Sequence, residues 1–332
     1  MADFSRYLIR RLITLIPTIL GVVFITFTIG YIIPSDLARA WAGGIKAKPW
    51  FVEEVKKKYH LEDPFFDQFY FFLKGIITNS LEAPTIGAPI FPVILVIFPF
   101  TVQLAIMSIL IALIIGVPIG ILSALKQDTT VDYLVRTFSL SMNAMPAFIL
   151  GYIIKYIVYD KLGIIPPLIK RMPSHRVIGL PILDALLLGD FDAFYYLLFI
   201  YSLPALTLGL IYGGIYARFI RNCILDVLNS EFIMYLKAKG VPQKVILKHA
   251  LKNISVPMIT VIGFSFSSLL GGAVIVEIVF NLPGLGSFLY YSLFLYDVVI
   301  IMGVTLFFAI IVVLTSLIID IIYGILDPRI RY

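Results

Sequence analysis

Three histidines are available for chemistry, His60, His175 and His249, and each lies in a polar stretch between apolar runs. Gly263-Phe264-Ser265 has the small-residue setting of a nucleophilic serine, but its base has to come from a neighbouring apolar run, and none of those runs holds a histidine. Ser265 therefore reads as a small polar residue packing one helix on another. No carboxylate or thiol lies at a spacing that makes a dyad with His249, which reads as a structural member of a basic helix. Cys223 is the only cysteine, so an intrachain disulfide, a thiolate zinc cluster and an iron–sulfur site are excluded. The phosphate loop GxxxxGK followed by Ser or Thr is absent, and no glycine is directly followed by lysine. Gly284-Leu285-Gly286 lacks the remaining glycine of a dinucleotide fingerprint and reads as a tight turn. No catalytic, cofactor-binding or metal-binding residue is assigned.

The elements around these residues are membrane helices. With 332 residues, 60% of them hydrophobic, and a mean hydropathy of +1.00, the chain is too apolar for a water-soluble globule. Its formal charge of +6 sits in segments flanking the apolar runs without a nucleic-acid signature, so it reports topology. Apolar runs predict six spans, at about 12–33, 101–124, 133–159, 203–219, 254–280 and 298–323. Arg10-Arg11 ahead of the first run, with no small-residue cleavage site, reads as a retained span held by its cytoplasmic end. Residues 1–34 are thus an N-terminal tail and first span, 35–92 an external subdomain of short helices, and 93–332 a core with spans two to six and a cytoplasmic loop at 221–255. The stretch 161–202, broken by Pro166, Pro167, Pro173 and Pro181, reads as a second external loop carrying an interfacial or re-entrant helix near 182–188. No Lys or Arg occurs in 281–297, as expected of an external loop.

Ionisable groups inside spans are costly and are functional suspects by default. Lys155 and Glu277 fall near the external ends of spans three and five, and Asp320 near the internal end of span six, where snorkelling or interfacial water relieves the cost. Gly271 and Gly272 read as close-packing positions, and a closely packed seam is also a natural gate.

The longest polar interruption between the apolar runs of the second half is 229–260. Ser230 is placed to cap a helix with Glu231 in its first turn, Gly240 to take a left-handed position past its end, and Pro242 to open a second helix. The first helix, about 15 Å long, has Phe232, Ile233, Tyr235 and Leu236 on an apolar surface and Lys237 and Lys239 at a basic end. In the second, Lys244, Lys248 and Lys252 form one stripe beside Val245, Ile246, Leu247 and Leu251. Such an elbow reads as a contact surface.

Lys237-Ala238-Lys239-Gly240, followed by Lys248-His249-Ala250-Leu251-Lys252-Asn253 and Pro257, resembles the cytoplasmic coupling loop of the inner-membrane subunits of ABC importers, specifically the dipeptide/oligopeptide permease family. The resemblance runs over nearly the whole chain, through Pro17-Thr18, Gly21-Val22, Pro99 with Thr101, Leu203-Pro204-Ala205-Leu206-Thr207-Leu208, Gly271-Gly272-Ala273-Val274 to Glu277, Pro283-Gly284-Leu285-Gly286 and Asp327-Pro328-Arg329. Met234 stands where permeases often carry a glutamate, Leu236 where a small residue is expected, and Gln103 where many relatives are acidic.

The resemblance implies an all-α integral membrane protein with six transmembrane helices of the ABC importer permease type and an external subdomain after the first. It implies import of peptides or oligosaccharides delivered by an external binding protein, a second homologous permease subunit, and two cytoplasmic ATPase subunits that hold ATP and magnesium. The chain would hydrolyse nothing itself, and both termini would be cytoplasmic. The expected ATPase-coupling interface is Ser230, Glu231, Phe232, Ile233, Tyr235, Leu236, Lys237, Ala238, Lys239, Gly240 and His249; the expected path or gate is Gln103, Asn143, Gly271, Gly272 and Glu277. Two rivals are weighed. An ion-coupled secondary transporter needs ionisable groups near the midplane, and a membrane-embedded enzyme needs a convergent catalytic set. The chain largely lacks the first and shows no sign of the second.

Overall fold

The computed structural model describes residues 2–32, 36–44, 47–166 and 170–326, the side chains of 2–8, 256, 272 and 323–326 excepted. Pro167 and the ending 327–332, both singled out in the sequence, lie outside the described residues. The chain is helical almost throughout. In order come α1 (Ala2–Ile32), α2 (Leu37–Trp41), α3 (Pro49–Lys58), α4 (Phe65–Ile77), a hairpin of β1 (Glu82–Ala83) and β2 (Ala88–Pro89), and α5 (Ile90–Leu125). Next are α6 (Thr130–Ala144), α7 (Ala147–Lys155) with a π-helical extension Tyr156–Lys161, α8 (Pro181–Leu187), α9 (Phe191–Leu228) and α10 (Glu231–Ala238). The last are α11 (Gln243–Gly272), α12 (Val274–Phe280), α13 (Leu285–Leu295) and α14 (Val298–Leu326). Among the described residues, α1, α5, α9 and α14 are apolar and long enough to cross a membrane, and three further helix pairs qualify as bent spans.

Several spans differ from the apolar runs that announced them. The third bends by 102° between α6 and α7. Pro146 has no N–H to donate and pushes Met145 into extended backbone, φ −81° and ψ 124°, so the helix cannot run through. The fourth, expected over 203–219, is the 38-residue α9, which starts at Phe191 because Asp190 caps it, accepting from the Ala193 N–H at 3.0 Å. At 1.5 Å per residue it is about 57 Å long, well beyond a hydrocarbon core of about 30 Å. The 161–202 stretch is therefore not loop to its end, although α8 forms where an interfacial helix was expected. The second span starts at Ile90 rather than 101. The fifth, expected over 254–280, stops at Gly272, and its other end continues back to Gln243 with a 45° bend near Pro257. The supposed loop 281–297 is mostly α13, at 86° to α12.

The chain forms two compact units, residues 1–101 with 270–317, and 102–269 with 318–332. The first is built on aromatic packing. Phe27 of α1 meets Phe65, Phe69 and Phe72 of α4 at ring-centroid distances of 5.1–5.4 Å, and Phe72 also contacts Trp41, which contacts Tyr59. Gln68 anchors the turn before α4 by donating to the Leu61 and Asp63 carbonyls. The hydrogen bond from Lys58 to Glu82 ties α3 to β1 and raises the Lys58 pKa. Ile13, Ile16, Leu20, Ile25 and Ile29 of α1 are exposed, as lipid-facing residues should be.

In the second unit, α5 and α9 meet through small residues. A Cβ on Gly116 would come within 2.6 Å of the Gly213 carbonyl, and one on Gly120 within 2.7 Å of the Ala217 carbonyl, so the backbones touch where larger residues have no room. Tyr216, Ile220 and Ile224 continue the seam against Ile254 and Met258. Asp132, fully buried, accepts from Arg221 Nε and Nη2 at 2.6 and 2.7 Å, from Ser123 at 2.6 Å and from the Asp128 N–H at 3.1 Å. With every lone-pair direction used, the pair fixes α6 to α9. Arg221→Met should destabilise the protein by about 3–5 kcal/mol, because it strands a buried carboxylate. Thermal unfolding in detergent should show a clearly lower midpoint, whereas an unchanged midpoint would show that the pair is dispensable.

Candidate functional site

Two places gather the residues expected to work. The first is the α10 elbow. Ser230 is the residue before α10 and has extended backbone, but its hydroxyl donates back to the Val227 carbonyl at 2.6 Å and does not cap the helix. The helix closes as the glycine spacing requires. Gly240 has φ +73°, its N–H donates to Lys237 O at 2.9 Å, and the Val241 N–H donates to Leu236 O at 3.1 Å. These are the two bonds of a Schellman ending, and α11 starts two residues after Val241.

The elbow divides its apolar residues. Ile233 is fully buried in its own subunit and anchors α10, so it is not free to dock elsewhere. Leu236 is half-buried, while Phe232, Met234 and Tyr235 are 50%, 64% and 57% exposed. Met234, at the position where permeases often carry a glutamate, is part of the apolar knob. His249 of α11 meets the Phe232 ring edge-on at 6.1 Å, and Lys239 lies 4.4 Å above the Tyr235 ring. On α11 the buried stripe is Ile246, Ala250 and Ile254, which leaves Lys244, Lys248 and Lys252 exposed together. Glu231, Lys237, Ala238 and Lys239 are also exposed. The result is an aromatic knob in a basic field, with its own chain covering only one side.

The second place is Glu277, expected to line or gate an outer mouth. It is 1% exposed and closes a turn: Thr101 donates to its Oε1 at 2.7 Å and the Ser287 N–H to its Oε2 at 3.0 Å. Thr101 in turn accepts from the Leu285 N–H at 2.9 Å. Leu285 and Ser287 belong to the first turn of α13, whose own cap position is Gly284 and has no side chain to offer. The carboxylate of α12 thus satisfies amides that a helix start leaves open. Asn281 makes the reversal possible with φ 53°, and a Cβ on Gly284 would collide with the Glu277 carboxylate. Gly286 is equally constrained, since its Cβ would strike the Val274 backbone.

The remaining path candidates are scattered. Gln103 is buried and accepts from the Ile182 N–H at 2.7 Å, in the first turn of α8, while its Nε2 has no partner among the described residues. Asn143 is exposed and lines a cleft beside α9. Gly271 is exposed, and a Cβ there would meet nothing within 4 Å, so it is not a close-packing position within this chain. Gly272 ends α11, and its surroundings lie outside the described residues. Ser265 donates to the Val261 carbonyl at 2.8 Å, the self-contained bond of a packing residue.

Residues 116–332 match the family described as binding-protein-dependent transport system inner membrane component, and residues 4–111 match its N-terminal companion. The chain is 34% identical to the dipeptide transport system permease protein DppB of Alkalihalophilus pseudofirmus, over 98% of this chain and 99% of that protein. It is 36% identical to the probable D,D-dipeptide transport system permease protein DdpB of Escherichia coli, over 95% and 94%. It is 34% identical to the glutathione transport system permease protein GsiC of Pectobacterium atrosepticum, over 98% and 99%. With its helices, its elbow and both halves matched, the chain belongs to the inner-membrane components of binding-protein-dependent transport systems, the multi-pass permease subunits of ABC importers.

Proposed function

We propose that this chain forms half of a translocation path for short peptides, driven by ATP hydrolysed on two cytoplasmic ATPase subunits that carry the ATP and magnesium. A second homologous permease supplies the other half, and an external binding protein delivers the substrate. The relatives' printed names speak of dipeptides and glutathione, which supports peptides over oligosaccharides. The chain contributes no ATPase site of its own. Both termini and the 221–255 loop face the cytoplasm, and the 35–92 subdomain faces outward.

One observation carries the mechanism: α10 presents Phe232, Met234 and Tyr235 to the outside while Ile233 pins it to its own subunit. A helix held from one side and apolar on the other suits a groove on a partner. Ser230, Glu231, Leu236, Lys237, Ala238, Lys239 and His249 would frame the contact, and Gly240 would set its angle. Motion of the ATPases then enters α11 through the four residues of the elbow, 239–242. Gln103, Asn143, Gly271, Gly272 and Glu277 remain the proposed path or gate residues, and Glu277 also holds the α12–α13 turn.

The full complex in proteoliposomes should accumulate a labelled dipeptide only with ATP inside the compartment facing α10. Uptake driven by a proton or sodium gradient without ATP would overturn the proposal.

A further inference from the structure

Two adjoining clefts lie between α6 and α9, of about 320 and 250 Å³, sharing Ser139, Arg218 and Asn222. Arg136 lines the first and Asn143 the second. Arg136 and Arg218 have no ion-pair partner among the described residues, and no carboxylate lines either cleft. Arg221 also lines the first, but its charge is already matched by Asp132. Ser139 is 3% exposed, and its hydroxyl has no hydrogen-bond partner among the described residues. A serine in a helix ordinarily donates to the carbonyl one turn back, so a buried hydroxyl left open at a cleft wall is waiting for an acceptor.

We infer that this cleft binds a phosphate-class oxyanion, carried on the headgroup of an anionic lipid. Two unpaired guanidiniums, a free hydroxyl and the Asn222 amide are donors for phosphate oxygens, and guanidinium geometry suits them. The walls decide between headgroup and free phosphate. Val135, Leu140, Ile215 and Phe219 line the same clefts, and such surfaces take acyl chains. The site runs along α6 from Val135 to Asn143, beside the stretch of α9 that carries Arg218 and Arg221. This inference does not rest on the proposed substrate or on which face of the membrane the site occupies.

The test is retention of phosphatidylglycerol by the delipidated, purified complex, read by native mass spectrometry beside phosphatidylcholine and inorganic phosphate. Phosphatidylglycerol should be held in preference to phosphatidylcholine. Arg136→Gln with Arg218→Gln should weaken it by about 25-fold, at about fivefold per basic residue. Ser139→Ala, which leaves both arginines and the helix in place, should weaken it by a few-fold and covers the case in which the double variant does not fold. Lys56→Gln, in the other unit, should change nothing. Equal retention by the folded arginine variants, or by Ser139→Ala when the double variant fails to fold, would overturn the site. Inorganic phosphate binding tightly and displacing the lipid would overturn the lipid as its ligand.

Discussion

Glu277→Ala is expected to unfold the α12–α13 turn and to lower the thermal midpoint of the purified permease. The change leaves the Thr101 hydroxyl and the Ser287 N–H without acceptors in a site where Glu277 itself is 1% exposed. Each buried orphan costs about 1–3 kcal/mol, so the total is roughly 2–6 kcal/mol. Gly284→Ala should act in the same direction by forcing the carboxylate off its partners. Glu277→Gln should be intermediate, since one oxygen is kept and the other becomes a donor facing donors. Wild-type midpoints for all three would mean that the turn does not depend on this carboxylate.

The second large effect concerns the elbow. Gly240→Val places a β-branched residue at φ +73°, and because a Cβ there meets nothing within 4 Å, the whole cost is backbone strain of about 1–2 kcal/mol. That is too little to unfold the permease and enough to tilt α10. Tyr235→Ala and Phe232→Ala remove exposed contacts without touching the Ile233 anchor, at about 2 kcal/mol each if they are hot spots. All three variants should express and insert normally. ATP-driven uptake should fall by at least about tenfold, as roughly 1.4 kcal/mol implies. Normal uptake in all three would remove α10 from the coupling path.

The difference between these two places explains what the sequence made legible. The elbow is local: a serine before the helix, a glycine after it and a proline beyond mark its limits within about a dozen residues, and the observed Schellman bonds span only Leu236 to Val241. The split between Ile233 and its exposed neighbours was not legible, because it depends on what α9 and α11 place beside α10. Glu277 is the opposite case. Its partner Thr101 lies 176 positions away, and its role requires knowing that α11 stops at Gly272 and that α13 folds back at 86°. Gly271-Gly272 and Pro283-Gly284 were available as signals of those two breaks, but the apolar run across 254–280 concealed the first. Pro146 likewise sat inside an unbroken apolar run, and hydropathy does not register a missing N–H. At α9 the fault ran the other way. The prolines from Pro166 to Pro181 extended the apparent loop past Asp190, whose capping position marks where the helix begins.

The central claim is that α10 is the part of this chain that touches the ATPase. Tyr235→Cys in a Cys223→Ser background provides a single thiol, because the chain has no other cysteine. A short bifunctional cross-linker applied to the assembled complex should join this chain to an ATPase subunit, with a yield that changes between the nucleotide-free and ATP-bound states. A complex that retains its ATPases and transports normally, yet cross-links Tyr235→Cys only to the external binding protein or to nothing, would contradict the account.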